Sequence, residues 1–114
     1  MTDSYTVGYS ADALDDLYGI YSYIANELLA PETAAAQLKR IQKEVRTLEL
    51  MPARYALVGW EPWHSMKMHQ FPVHNFIVYY LIDDEKKAVT VVRIFYGGRD
   101  IEGIVSELPH TKSI

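Results

Sequence analysis

The sequence of 114 residues contains no cysteine, and this absence excludes disulfide bonds and thiolate metal sites. It also lacks any apolar run that approaches the roughly 18 residues of a membrane-spanning helix. The first residues, Met1 to Tyr5, lack the basic and apolar segments of a signal peptide. We therefore expect a cytoplasmic protein with no metal, no cofactor and no membrane partner.

Positive charge is also scarce, because 11 lysines and arginines face 15 aspartates and glutamates, for a formal net charge of −4. Since phosphate contacts supply most non-specific affinity for nucleic acids, this balance argues against a general binder of DNA or RNA.

Hydrophobic residues make up 49% of the chain, which is enough for the core of one domain over residues 1–114. We expect its tail after Pro109 to be frayed.

The first half of the chain predicts a short strand and two helices. Residues 5–9 alternate as in a half-buried strand, and Ser10 is a good N-cap for the helix that follows. Spacing predicts one apolar face in that helix, formed by Leu14, Leu17, Tyr18, Tyr21, Ile24, Ala25 and Leu28. Pro31 fits the first position of a second helix. The short connection between the two predicts an antiparallel helical hairpin.

The second half of the chain predicts three strands and a short helix. Residues 66–71 alternate, residues 76–82 form a continuous apolar run, and residues 89–96 form a β-branched run that ends at two glycines. Ile101, Ile104, Val105 and Leu108 have the spacing of a short C-terminal helix. Because the helices and strands fall in separate runs, the predicted class is α+β. We expect an N-terminal strand, a helical hairpin, a three-strand antiparallel meander and that C-terminal helix.

Three segments resemble the RelE/ParE toxin superfamily of bacterial and archaeal toxin–antitoxin systems. The second helix ends in a Leu-x-x-x-Pro-x-Arg pattern at residues 48–54, and residues 75–80 read Asn-Phe-Ile-Val-Tyr-Tyr. The last strand continues into Tyr-Gly-Gly-Arg-Asp at residues 96–100. The order of predicted elements also resembles that of the family over almost the whole chain.

The resemblance implies a RelE-like fold and a type II toxin, of the kind called plasmid stabilisation proteins, which a small antitoxin encoded beside it neutralises. It leaves two activities open. RelE-like members are mRNA interferases, endoribonucleases that cleave mRNA without a metal, usually on the ribosome. ParE-like members inhibit DNA gyrase. A third alternative is a degenerate member that binds its antitoxin but is not toxic, and the oligomeric state is open as well.

Metal-free RNA cleavage requires a base, an acid and cations that stabilise the charge on the reacting phosphate. The resemblance implies that these groups lie on the concave face of the sheet, and it indicates Lys67, His69, His74 and Arg99 as catalytic residues. Arg99 matches the phosphate-stabilising arginine that follows the last strand. Residues 67 and 69 are expected to project from one face of a strand, with His74 opening the next strand.

Three further residues, Arg54, Arg93 and Tyr96, are predicted to bind substrate. Arg93 lies inside a predicted strand, where it is also expected either to pair with an acid or to point outward. The match to the ribonucleases is incomplete, because Ile77 stands where they often carry an arginine. The nine tyrosines and two tryptophans predict an apolar surface that binds the antitoxin.

Overall fold

The elements of the fold follow the predicted order. The computed structural model describes residues 4–98, Ile101 and Val105. Along the chain lie β1 (Thr6–Tyr9), α1 (Ala11–Ser22), a π-helical turn (Tyr23–Glu27), α2 (Pro31–Arg46), β2 (His69–Val73), β3 (Phe76–Asp83) and β4 (Ala88–Tyr96). Two short 3₁₀ turns, Thr47–Glu49 and Pro52–Arg54, follow α2. The predicted α+β class, helical hairpin and three-strand meander are confirmed.

The four strands form one mixed sheet in the order β1-β4-β3-β2. The meander is antiparallel, whereas β1 runs parallel to β4 and pairs only with its first half, from Thr6 opposite Ala88 to Tyr9 opposite Val91. No described strand therefore lies beside the second half of β4 on the β1 side.

A β-bulge at Val92 changes the faces that the residues of β4 present. Tyr79 lies opposite Arg93 and Tyr80 lies opposite Val91, so Val92 is the extra residue. Val91 and Ile94 consequently both face the helices, although a regular strand would place them on opposite faces.

The predicted start of each helix is confirmed. The Ser10 side-chain oxygen accepts a hydrogen bond from the Ala13 amide at 3.0 Å, and Pro31 begins α2. The predicted apolar face of α1 is partly wrong, because Leu14 is 52% exposed and Tyr18 is 74% exposed. The helix packs on the sheet through Ala13 and Leu17 instead.

The hydrophobic core has two parts, one on each face of the sheet. Helices α1 and α2 cover the first face, where the fully buried side chains include Ile41, Val45, Leu48, Phe71, Val78, Tyr80 and Val91. The connection between the second 3₁₀ turn and β2 covers the opposite face. Ile101 and Val105 of the predicted C-terminal helix are helical and buried against this second face. The rest of that helix lies outside the described residues, as does the tail after Pro109.

Among the residues that the structure describes, no helix combines the length and the apolar character needed to cross a membrane.

Candidate functional site

His69 opens β2 and is half-buried against the end of the helical layer. Its Nδ1 lies 2.8 Å from the Tyr55 carbonyl oxygen, so Nδ1 carries a proton and donates this hydrogen bond. The imidazole also stacks on the Tyr80 ring, with 5.2 Å between the ring centroids. Tyr80 in turn donates its hydroxyl to the Pro52 carbonyl at 2.5 Å, and burial raises the pKa of this phenol. The hydrogen bond to Tyr55 and the stacking on Tyr80 therefore fix the position of the His69 ring.

His74 lies at the other end of β2, in the turn that leads to β3. Its backbone is left-handed, with φ of 58°, and its side chain is exposed. The Nδ1 atom is 3.5 Å from the Gln37 Nε2 atom of α2.

Lys67 is not on a strand, contrary to the prediction. It ends a series of turns with φ of 62°, and β2 begins two residues later at His69. Its amide donates to the His64 carbonyl at 3.0 Å, which closes the turn. The expectation that residues 67 and 69 project from one strand face is therefore wrong.

The predicted convergence of His69 and His74 is also wrong. His69 lies opposite Tyr80, whereas Val73, next to His74, lies opposite Phe76. Because a strand rises about 3.3 Å per residue, the two histidines are separated by roughly 15 Å along β2. No single substrate atom reaches both rings. Arg99 lies outside the described residues, so its predicted role stays a prediction.

Arg93 pairs with an acid, as expected. Its Nε and Nη2 atoms donate to the two carboxylate oxygens of Asp16 at 2.8 and 3.0 Å, and its guanidinium lies 4.6 Å from the centroid of the Phe95 ring. The hydrogen bonds to Asp16 raise the pKa of Arg93. Asp16 also accepts the Ile94 amide at 2.9 Å. Asp16 thus engages two of the five N–H groups of the Arg93 guanidinium.

Arg54 caps the end of the helical layer. Its Nη1 donates to the Leu50 and Met51 carbonyls at 2.6 and 3.1 Å, and its Nη2 donates to the Thr47 hydroxyl at 3.0 Å. The guanidinium also lies over the Tyr55 ring at 4.8 Å. These bonds hold together the two 3₁₀ turns that follow α2. They account for Arg54 without a substrate.

Tyr96 ends β4 and is half-exposed beside the two glycines. The Gly97 amide donates to the Asn75 carbonyl at 2.7 Å. A Cβ atom on Gly98 would lie only 2.8 Å from the Tyr96 ring. A side chain at Gly98 would therefore require the half-exposed Tyr96 ring to shift.

The sheet face opposite the helices is filled by an apolar cluster, which we call the tryptophan cluster. It comprises Val58, Trp63, Met68, Tyr79, Phe95, Ile101 and Val105, all buried. Trp63 contacts Tyr79 at a centroid distance of 4.8 Å and stacks on the half-buried Trp60 at 5.1 Å. Burial raises the pKa of Tyr79 to about 12. The cluster itself is formed by apolar and aromatic side chains.

A groove of about 900 Å³ lies on the helical side, between α1, the start of α2 and the second half of β4. Its apolar lining includes Ile20, Ile24, Phe76 and Tyr96. The acidic residue Asp15 also lines the groove. The Asp16–Arg93 pair contributes to the same groove. Within the described residues, no three histidines, aspartates or glutamates come together as metal ligands.

Sequence reasoning missed the roles of Asp16 and Trp63. No local pattern indicates that Asp16 has a partner 77 residues away. The tryptophans were expected to form part of an apolar surface that binds the antitoxin. Trp63 lies three residues before the predicted alternating strand at residues 66–71, and this position gave no signal that its side chain covers the sheet.

The fold is shared with solved structures of the RelE/ParE toxin superfamily. The chain resembles the chromosomal ParDE toxin–antitoxin system of P. aeruginosa with a TM-score of 0.67 and 19% identity, over 83% of this chain and 98% of that one. It also resembles the RelBE2 toxin–antitoxin complex of Mycobacterium tuberculosis, with a TM-score of 0.57 and 20% identity over 82% and 91% of the two chains. A mutant of the E. coli toxin RelE in the free state matches with a TM-score of 0.59 and 16% identity, over 97% and 98%. The architecture is therefore that of this superfamily.

The family itself is given by the sequence match. Residues 7–101 match the family model for the ParE toxin of the type II toxin–antitoxin system parDE. The chain belongs to the ParE toxin family, and it is a toxin of a type II toxin–antitoxin system. A search of curated proteins found no match.

Proposed function

We propose that this toxin acts by binding its target without cleaving RNA, and that the target is DNA gyrase. The observation that carries the proposal is the tryptophan cluster on the sheet face opposite the helices. RNA cleavage needs an open face with converging acid, base and cationic groups. Here buried apolar side chains occupy that face, with Trp63 only 7% exposed and Tyr79 only 2% exposed.

The separation of the two histidines along β2 supports the same proposal. A general base must lie within about 3 Å of the proton that it removes, and a general acid must reach the leaving oxygen of the same phosphate. His69 is also engaged by Tyr55 and Tyr80, which fix the orientation of its ring. The match to the ParE family model agrees with a toxin of the gyrase-inhibiting type.

A paired assay tests the proposal. The purified chain is added to DNA gyrase in a supercoiling reaction, and it is expressed without antitoxin in cells whose mRNA 5′ ends are then mapped. We expect loss of supercoiling and an unchanged pattern of mRNA ends. New mRNA ends with normal supercoiling would overturn the proposal and restore the ribonuclease prediction. Prior addition of the antitoxin is the control for each arm.

We further propose that a small antitoxin encoded beside this chain binds in the groove between α1 and β4. The solved relatives ParDE and RelBE2 are toxin–antitoxin systems, and the groove has the apolar lining of a protein-binding site. Co-expression with the product of the adjacent small open reading frame, followed by pull-down, tests this partner. Absence of a complex at micromolar concentration would contradict it.

A further inference from the structure

The outer face of α2 carries a concentration of positive charge in an otherwise acidic chain. Four cations lie within eight residues of its second half: Lys39, Arg40, Lys43 and Arg46. All four side chains are exposed, and the same eight residues contain a single acid, Glu44. The whole chain has a formal net charge of −4. The four cations therefore form a local positive surface, which we call the basic face.

Helical spacing aligns the side chains of the basic face. Residues 39, 43 and 46 are separated by four and three positions, so they form one row along α2, and Arg40 lies beside this row. Because a helix rises about 1.5 Å per residue, the row extends over about 10 Å.

No acid of the described part of the chain neutralises the basic face. None of the four cations forms a salt bridge or a side-chain hydrogen bond with another described residue. Burial raises the pKa of the nearby Tyr9 phenol against the opposing charge of Arg46, so this neighbour of Arg46 is uncharged at neutral pH. The positive charge of the basic face is therefore directed to solvent.

The helix dipole accounts for only half of the basic face. It stabilises cations at the C-terminal end of a helix, and Lys43 and Arg46 lie in the last turn of α2. The effect falls off within one turn, so it does not account for Lys39 and Arg40. Lys39 and Lys43 are moreover like charges four positions apart, an arrangement that destabilises an isolated helix. An anionic partner would account for all four cations.

We propose that the basic face of α2 contacts the phosphate backbone of the double-stranded DNA that gyrase holds. This inference rests on the proposed gyrase target and specifies a second contact within that complex. Each strand of DNA carries a negative charge about every 3.4 Å along the axis, so a row of about 10 Å spans roughly three phosphates. Because the chain as a whole is acidic, the basic face binds DNA only where gyrase presents it.

The side chains of the basic face favour DNA over an acidic protein surface. Protein–protein interfaces depend on aromatic and apolar anchors and are poor in lysine, whereas protein–DNA interfaces are polar and strongly positive. Among the described residues of α2, no large apolar side chain is exposed. The exposed neighbours of the cations are the small Ala36 and the polar Gln42. The face thus offers charge without an apolar anchor.

The basic face is separate from the groove proposed for the antitoxin. Helix α2 contributes Thr33 and Gln37 to that groove, and none of the four described cations lines it. Substitutions in the basic face are therefore expected to leave the antitoxin complex intact. Pull-down with the antitoxin consequently serves as a control for the folding of each variant.

The first test measures binding to gyrase with and without DNA. The fluorescently labelled chain is titrated with gyrase alone and with gyrase loaded with a linear DNA duplex. Lys43→Glu reverses one charge of the basic face. Lys86→Glu is the matched control, because it changes the net charge equally and Lys86 is exposed in the turn between β3 and β4.

We expect Lys43→Glu to bind the DNA-loaded gyrase about tenfold more weakly than the wild-type chain, and Lys86→Glu to stay within about twofold of it. Gyrase without DNA is expected to bind all three chains with equal affinity, since the contact made by the basic face is then missing.

The second test uses the dependence of binding on salt. The double variant Lys39→Gln/Lys43→Gln removes two positive charges and adds no acid. Each phosphate contact contributes about 0.9 to the slope of log affinity against log salt concentration. We therefore expect the slope for DNA-loaded gyrase to be smaller by about 2 in the double variant, with circular dichroism as the check of its fold.

The outcomes separate the DNA contact from the gyrase target. If wild-type chain inhibits gyrase but Lys43→Glu binds the DNA-loaded enzyme as tightly, the DNA contact is overturned and the gyrase target stands. An equal loss on gyrase without DNA would assign the basic face to an acidic protein surface and overturn the DNA contact. An equal loss in Lys86→Glu would reduce the effect to net charge, with the same consequence.

Two further outcomes complete the test. If the wild-type chain neither binds nor inhibits gyrase, the proposed target is overturned, and the DNA contact with it. If Lys43→Glu does not fold, the salt slope of the double glutamine variant decides, and a slope equal to that of the wild-type chain overturns the DNA contact.

Discussion

At the scale of single residues, Asp16 links three parts of the molecule. One carboxylate joins α1 to the Arg93 guanidinium and to the Ile94 amide, and the side chains of Arg93 and Asp16 are only 18% and 13% exposed. A partly buried pair of this kind has little net value relative to an apolar pair, but it is costly to break from one side. Removing the acid leaves both a guanidinium and an amide without their acceptor.

We therefore predict that Asp16→Ala lowers the free energy of unfolding by about 2 kcal/mol, with Asp16→Asn intermediate because it keeps one acceptor oxygen. Urea unfolding followed by circular dichroism measures the change. Asp15→Ala is the matched control, since Asp15 lies beside Asp16 but is exposed, and surface changes usually stay within about 0.5 kcal/mol. Equal losses in the two alanine variants would contradict the role assigned to Asp16.

Tyr79 predicts a dependence of stability on alkaline pH. Burial raises its pKa to about 12, whereas a tyrosine in an unfolded chain titrates near 10. The folded chain therefore keeps a proton that the unfolded chain releases, so this stabilisation is complete below about pH 10 and is lost as the pH rises toward 12. The raised pKa of Tyr80 acts in the same direction.

Urea midpoints measured from pH 8.5 to 11.5 should fall less steeply for Tyr79→Phe than for the wild-type chain. The phenylalanine has no proton to release, and no described residue hydrogen-bonds the Tyr79 hydroxyl. Tyr18→Phe serves as the control, because Tyr18 is 74% exposed. Parallel profiles for the wild-type chain and Tyr79→Phe would show that Tyr79 does not cause the alkaline loss.

At the scale of elements, the connection between the 3₁₀ turns and β2 acts as the second cover of the sheet. Trp63 is its central side chain, packed between Trp60 and Tyr79. We predict that Trp63→Ala costs about 3 kcal/mol of unfolding free energy, as is usual for a buried aromatic ring. Trp60→Ala should cost about 1 kcal/mol, because Trp60 is only partly buried. Denaturant unfolding of both variants measures the difference, and a larger loss for Trp60→Ala would contradict this packing.

The sequence correctly predicted those elements whose formation depends on residues that are neighbours in the chain. The proline at the start of α2, the serine cap of α1 and the apolar run of β3 depend on neighbouring residues, and all three were correct. The strand at residues 66–71 was misplaced because Met66 to Gln70 alternate in sequence while the backbone turns at Lys67. Met68 is fully buried as part of the tryptophan cluster, so its apolar character reflects a tertiary contact.

The face of α1 shows the same limit. Leu14 and Tyr18 have helical spacing with Leu17, yet they point outward, because spacing cannot tell which side the sheet will occupy. No sequence pattern predicts the β-bulge at Val92 either, although the bulge decides which residues of β4 face the groove.

At the scale of the whole molecule, the candidate site was the least predictable part. His69 and His74 are only five positions apart in the sequence. Because β2 is extended, these five positions span the whole length of the strand. Arg54 and Arg93 were predicted to bind substrate, and in the structure each donates hydrogen bonds within the protein. Family resemblance gave the fold correctly, while the role of each charged side chain depends on the partners that folding brings to it.

The proposed mode of action predicts how toxicity depends on the amount of toxin. A toxin that acts by occupying its target must be present in proportion to that target, whereas an endonuclease turns over and acts at a small fraction of it. In a supercoiling reaction at fixed gyrase concentration well above the dissociation constant, inhibition should therefore be half complete when the toxin is about half as abundant as its binding sites. The double variant His69→Ala/His74→Ala should inhibit within about threefold of the wild-type chain once its folding is verified by circular dichroism. General acid–base groups contribute about a hundredfold or more to a rate, so a loss of that size in the double variant would show that the toxin acts by chemistry.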